Sequence, residues 1–189
     1  MFCFGYFKAI FSPDRELYLK LKNIFGFYPN NISIYQLAFR HKSCALRHFN
    51  GIRISNERLE FLGDAVLDAI IADHLFKLFP YKDEGFLTQM KSKIVSRNHL
   101  NKLSSKLGID KLIQCSQETI PHHKSMKGDA FEAFIGALYL DKGYRITRSI
   151  IIDRIIRLHV DMDEMVTMDT NFKSRLLEWT QREKKTLEF

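Results

Sequence analysis

Carboxylates recur inside two of the most apolar stretches of this chain. In residues 56–69 (NERLEFLGDAVLDA), Glu57, Glu60, Asp64 and Asp68 follow one another at intervals of three or four. In residues 127–134 (KGDAFEAF), Asp129 and Glu132 are three apart, and both stretches set an Asp between Gly and Ala. At about 100° per residue, such intervals align side chains along one stripe of a helix. A solvated acidic face is the simplest account of that stripe, but such faces usually mix in Lys or Arg three or four residues away. Here the positions three and four beyond Glu60 and Asp64 are Gly63, Asp64, Leu67 and Asp68, while Asp129 and Glu132 stand among Ala130, Phe131, Ala133 and Phe134. Like charges so spaced cost a helix about 0.2–0.5 kcal/mol per pair, and more when partly buried without a counter-charge. A hard divalent cation resolves the conflict. Mg²⁺ takes oxygen ligands in octahedral geometry and keeps several waters, so two acids from each of two helices make a half-cage. Gly63 and Gly128, which cost a helix up to about 1 kcal/mol each, are read as allowing close approach beside the ligand aspartates. On a protein of net charge +7, an all-oxygen Mg²⁺ site points to phosphoryl chemistry on a polyanion.

Other chemistries lack their residues. A ferritin-like di-iron bundle needs Glu-x-x-His on two helices, and no Glu here has a His three residues later. Cys3, Cys44 and Cys115 are scattered without a CxxC pair, which argues against a zinc knuckle or a disulfide framework and for a reducing cytoplasm. No Walker-type phosphate loop appears. His122 and His123 read as an exposed loop pair. The start, MFCFGYFKAIF, is interrupted by Lys8 and lacks a basic n-region and a small-residue cleavage site, so it reads as a packing segment rather than a signal peptide. No stretch reaches the ~20 apolar residues of a membrane span.

The elements that must hold these acids are helical. Residues 14–25 form a helix stopped by Gly26 and Pro29, and Ser33 is expected to cap a short helix through Arg40. HKSCALRHFNGIRIS reads as a loop. Ser55 or Asn56 caps a long helix to about Phe79, apolar on most sides and therefore central. Asp83 opens a helix through Ser96, and a further one runs from about Asn98 to Leu107. GIDKLIQCSQETIPHHKS is mostly loop. A helix over 125–141 closes at Gly143, and others run from about Ile146 to His159 and from Asn171 to Lys184. The fold class is all-α. VDMDEMVTMDT is short, polar and acidic, and reads as a linker.

NERLEFLGDAVLD resembles the signature helix of the ribonuclease III family of double-stranded-RNA endonucleases. Three more segments match in the same order: LAFRHKS (37–43), DEG with SRNHL (83–85 and 96–100), and GDAFEAFIGALYLD (128–141). The resemblance covers about residues 15–160. It implies a ribonuclease III catalytic-domain-like helical fold that dimerises, with Glu60, Asp64, Asp129 and Glu132 as the catalytic, metal-binding carboxylates. Glu57 and Glu84 match supporting acids near the subunit interface. Phe61 matches an aromatic that plugs a socket on the partner subunit, with an ordinary core Phe as the alternative. Asp68 matches no catalytic position and reads as an exposed helix acid, and His41 reads as structural. All four catalytic positions are intact.

The implied activity is Mg²⁺-dependent hydrolysis of double-stranded RNA, with Mn²⁺ as a substitute. Water attacks in line and the ribose 3′ oxygen leaves, giving 5′-phosphate and 3′-hydroxyl ends, in RNA processing such as rRNA maturation. Glu132 is the first choice for the residue whose loss harms chemistry most. Lys91, Lys93, Arg97, Lys124 and Lys127 flank the acidic helices and are candidates for phosphate contacts. The implied partners are duplex RNA and a second copy of the chain, with no membrane and no small-molecule cofactor. The division implied is a nuclease domain with an N-terminal extension over 1–160, a linker over 161–170, and over 171–189 the opening helix (NFKSRLLEWTQ) of a truncated double-stranded-RNA-binding domain, a bacterial arrangement. Two other classes compete: a non-cleaving scaffold homologue, which intact acids disfavour, and a plain helical interaction protein with no taste for Mg²⁺ or RNA.

Overall fold

The structure is a computed structural model that describes residues 12–47, 51, 53–115, 126–167, 179–180 and 182–183. The N-terminal packing segment, His122, His123, Lys124 and most of the helix expected from Asn171 lie outside the described residues.

The described residues are predominantly helical, as expected. Helices α1 (Arg15–Phe25) and α2 (Ile32–Ala38) precede a 3₁₀ turn, Lys42–Cys44, and two strands, β1 (Leu46–Arg47) and β2 (Arg53–Ile54). Then come α3 (Glu57–Leu78), α4 (Glu84–Ile94), α5 (Arg97–Leu107), a 3₁₀ turn (Ile109–Leu112) and α6 (Met126–Ser149). A π-helical stretch, Ile150–Ile156, continues through Arg157–His159, and α7 spans Met162–Thr167.

The two acid-bearing helices form the centre. Leu59, Val66, Leu67, Ile70, Ile71 and Leu75 of α3 are buried, and α6 is buried continuously from Ala133 to Leu138. Each large apolar side chain so buried contributes about 1.5–3 kcal/mol. Phe134 is the hub for the N-terminal helices: its ring stacks on Phe25 at 4.1 Å and on Phe39 at 6.3 Å, and lies 6.1 Å from Tyr35. A polar clasp closes the same seam. The carboxylate of Asp141, its side chain 2% exposed, accepts from the amides of Asn30 and Asn31 and from the Tyr35 hydroxyl, each at 3.0 Å.

Helix α3 and helix α6 touch backbone to backbone at two glycines. A Cβ on Gly63 would lie 2.8 Å from Gly136 N and overlap the Glu132 carbonyl, and one on Gly136 would lie 3.2 Å from Gly63 N and overlap the Leu59 carbonyl. The expected use of Gly63 is thus corrected: it admits the partner helix. Gly128 plays no such part. Its amide donates to Asn101 Oδ1 at 2.8 Å, and a Cβ there would meet that side chain at 3.3 Å.

Several boundaries differ from expectation. Asn31, not Ser33, caps α2, its side chain accepting from the Ser33 amide. The helix ends at Ala38 because the chain turns to pair Arg40 with Gln114 in a parallel bridge. The stretch read as a loop holds the 3₁₀ turn and the hairpin that pairs Leu46 with Ile54 and Arg47 with Arg53. Gly143, at φ 74°, kinks the chain without ending helicity. The stretch read as a linker contains α7, anchored by the Lys93 ammonium on the Met165 carbonyl at 2.9 Å and by Met162 and Met165 against the core.

Candidate metal centre

Glu57, Glu60 and Asp64 stand at the start of α3. Ser55 holds the helix entrance, its hydroxyl accepting from the Glu57 amide at 3.4 Å and donating to Glu57 Oε2 at 3.1 Å. The Asn56 carbonyl accepts the amides of Leu59 and Glu60, both at 2.9 Å, so Glu60 is fixed from the first turn. On α6, the hydrogen bond of Gly128 to Asn101 sets the residue before Asp129. The glycine crossing then draws the two helices together beside Glu132.

Carboxylate oxygens of Glu60, Asp129 and Glu132 all lie within 4.8 Å of one another. Asp64 lines the same depression of about 440 Å³, together with His41, Lys42, Asn56, Glu57, Phe61 and Arg97. So the four carboxylates named from sequence share one pocket, three of them in a tight group.

Crowding shows in their proton affinities. Burial, and then the charges of Asp64, Glu60 and Asp129, push Glu132 up to about 7, with Arg97 opposing. Burial, Asp129 and Glu57 push Glu60 up as well, against Lys42 and Arg97. A carboxylate so placed is short of positive charge. The donor set is all oxygen, half-buried and open to solvent, which suits a hard divalent cation and could hold one through Glu60, Asp129 and Glu132, with Asp64 beside them. A cation there must displace the proton of Glu132, so its affinity rises with pH toward and past 7.

The remaining expectations divide. Glu57 is on the pocket rim, with Lys42 Nζ 3.9 Å from its Oε1. Glu84 is outside the pocket lining, exposed near the start of α4 and accepting from Thr88 Oγ1 at 2.9 Å. Phe61 is 81% exposed at the pocket rim, which rules out the core-Phe alternative within a single copy of the chain. His41 is buried and its Nδ1 accepts from the Ser43 amide at 3.2 Å, a structural use, although the residue also lines the pocket. Asp68 is paired with Lys91 at 2.7 Å. Of the five cations proposed for phosphates, Lys124 lies outside the described residues and Lys91 is engaged by Asp68. Lys127 bonds Ser105 at 2.8 Å and Asp110 at 3.3 Å. Lys93 is 8% exposed, buried on the Met165 carbonyl, and does not present its charge to a polyanion. Arg97 alone of these lines the acidic pocket. Sequence reasoning missed Lys42 and Gly136. Lys42 had its position inside HKS as a signal, and Gly136 its place four residues after Glu132.

A family model described as "Ribonuclease III domain" matches residues 57–143. The Ribonuclease 3 of Bacteroides thetaiotaomicron is 50% identical over 182 residues, covering 96% of this chain and 58% of its own length. That of Azobacteroides pseudotrichonymphae is 50% identical over 181 residues, covering 96% of this chain and 69% of its own length. This chain therefore spans less than two thirds of the Bacteroides protein. Among solved structures, the nuclease domain of ribonuclease III from Campylobacter jejuni, described for structural flexibility in a region involved in dimer formation, matches with a TM-score of 0.66 and 29% identity. The match covers 74% of this chain and 96% of that one.

Proposed function

This chain belongs to the ribonuclease III family, and from that membership we propose that it is an endoribonuclease hydrolysing the phosphodiesters of double-stranded RNA with Mg²⁺. The observation that carries the reading is the meeting of Glu60, Asp129 and Glu132 within 4.8 Å, beside Asp64, on a chain of net charge +7. A purely structural acidic face would keep these charges apart in water, where like charges cost least.

Glu60, Asp64, Asp129 and Glu132 would hold the ion, with Mn²⁺ an acceptable substitute because it too takes oxygen ligands. When bound, the ion would supply Lewis-acid activation of water and of the scissile phosphate. The chain's own part is to hold its carboxylates ionised and preorganised. Glu132, the acid pushed furthest toward its neutral form, is the one whose charge the reaction most needs. The products would carry 5′-phosphate and 3′-hydroxyl ends, and rRNA maturation is the process we assign. Glu57 and Glu84 are proposed as supporting acids. Phe61, an exposed aromatic at the rim, supports a homodimer in which it enters the partner subunit. Over 171–189, the likeness of NFKSRLLEWTQ to the opening helix of a double-stranded-RNA-binding domain supports a second module joined through 161–170. No described helix is long and apolar enough to cross a membrane, and we assign the protein to the cytoplasm.

The test is cleavage of end-labelled duplex RNA at low salt by wild type and Glu132→Gln, with Mg²⁺ and with EDTA. Cutting by wild type alone, and only with Mg²⁺, is the expected result. Duplex binding without cutting by either protein would instead favour the scaffold class, and neither binding nor cutting would favour the interaction protein.

A further inference from the structure

Several cations near the acidic helices are held by partners of their own. Lys91 is paired with Asp68, Lys127 with Asp110, Arg148 with Asp73 at 3.1 Å, and Lys93 is buried on a carbonyl. At the acidic pocket the cations are held less firmly. Five carboxylates and two cations, Lys42 and Arg97, line it. Yet Arg97 is exposed, and among the described residues its guanidinium makes no hydrogen bond or ion pair. An arginine in such company ordinarily locks a carboxylate through two parallel hydrogen bonds. Lys42 is held only loosely: its ammonium is 3.9 Å from a Glu57 carboxylate, and the two side chains are 56% and 60% exposed.

The backbones beneath these two side chains are pinned. Arg97 opens α5, where Ser96 Oγ accepts from the His99 amide at 3.3 Å and donates to the Lys93 carbonyl at 2.9 Å. Lys42 opens the 3₁₀ turn capped by the buried His41, whose carbonyl accepts from Cys44 at 2.9 Å. Each cation comes from an element other than the two helices that bear the pocket's acids. Lys42 stands 3.9 Å from Glu57 at the start of α3, whereas Arg97 reaches the pocket from the start of α5. A fixed base and an exposed, loosely held head suit a group that meets an anion from solvent.

We infer that Arg97 and Lys42 form a two-point clamp for the RNA backbone, Arg97 gripping the non-bridging oxygens of the phosphodiester over the carboxylates and Lys42 an adjacent phosphate. This rests on the proposed nuclease reading and adds to it the two residues that orient the substrate. The guanidinium fork matches two phosphate oxygens, which sets direction as well as charge, whereas the ammonium acts as a point charge.

The experiment compares wild type, Arg97→Gln, Arg97→Lys and Lys42→Gln on end-labelled duplex RNA. Single-turnover cleavage is read at several Mg²⁺ concentrations and pH values, and duplex affinity is read across a salt series. Arg97→Gln should lower kcat/KM by about 10- to 100-fold, the scale of a lost charge-assisted hydrogen bond, with Arg97→Lys recovering part. Each neutral variant should reduce the slope of log affinity against log salt by about one contact's worth. Their melting midpoints should match wild type, because neither charge is built into the fold. If wild type cuts but the variants keep its rate and salt slope, the clamp is wrong and the nuclease reading stands. If more Mg²⁺ or higher pH erases the Arg97→Gln defect, Arg97 merely tunes the carboxylates and the clamp is again wrong. If wild type neither binds nor cuts, the nuclease reading falls and takes the clamp with it.

Discussion

Gly63 and Gly136 face each other across the contact of α3 with α6, with a Cβ on either one reaching to within 2.8 or 3.2 Å of the other's backbone nitrogen. Rigid backbone, not a flexible side chain, fills the space. Gly63→Ala and Gly136→Ala should each push the helices apart and destabilise by about 1–3 kcal/mol, as overpacking does. They should weaken Mg²⁺ binding as well, because the acids of both helices move. Gly128→Ala meets only the Asn101 side chain and should cost less on both counts. Urea unfolding with calorimetric Mg²⁺ titration of the three variants checks this, and equal effects at all three positions would contradict it.

The pH response follows from Glu132, which burial and neighbouring acids lift from 4.5 to about 7. A carboxyl with a raised folded-state pKa favours the native state while it stays protonated. That advantage is complete below 4.5 and is lost as pH climbs through 7. In EDTA the melting temperature should therefore fall between those limits, and Mg²⁺ should reverse the fall. Glu132→Gln should flatten the metal-free slope. A melting curve in EDTA that rises across this range would contradict the burial and crowding described for Glu132.

Phe61 presents an 81% exposed ring to solvent. Phe61→Ala removes nothing from the core of one chain, so monomer stability should change by no more than about 0.5 kcal/mol. Sedimentation should nevertheless show monomer at concentrations where wild type is dimeric. A wild-type protein that sediments as monomer throughout would remove the role assigned to this ring.

Asp141 joins α6 to the entrance of α2 through the amides of Asn30 and Asn31, the Tyr35 hydroxyl and Lys142 Nζ at 3.3 Å. Asp141→Ala strands these donors and should cost about 3–5 kcal/mol, the scale for breaking a buried charged pair. Equilibrium unfolding in urea measures it, and a loss below about 1 kcal/mol would show that water replaces the clasp.

Most of the fold was legible because its signals are local. Asp83 caps α4 by accepting from the Phe86 amide at 2.8 Å, and the apolar sides of α3 announced a central helix. The acids were legible for the same reason, since three- and four-residue spacing is a property of one helix. What escaped depends on partners distant in sequence. Asn31 competes with Ser33 for one cap, and nothing in the local pattern says which oxygen wins. Gly136 reads as an ordinary helix glycine until Leu59 is packed on it. Lys93 sits among surface-type residues, yet a carbonyl 72 positions later draws it inside. The acidic run over 162–167 looks solvated, and becomes a helix only because Met162 and Met165 find the core.

That last helix changes the mechanics of whatever follows it. A free stretch over 161–170 would let the chain beyond it swing from residue 160. With α7 seated on α4 through Lys93 and Met165, the fixed part of the chain extends to Thr167. Six residues that could reach about 20 Å when extended span only about 9 Å as helix. A module attached beyond them searches a smaller volume, and a shorter tether raises its effective concentration at any site it can still reach.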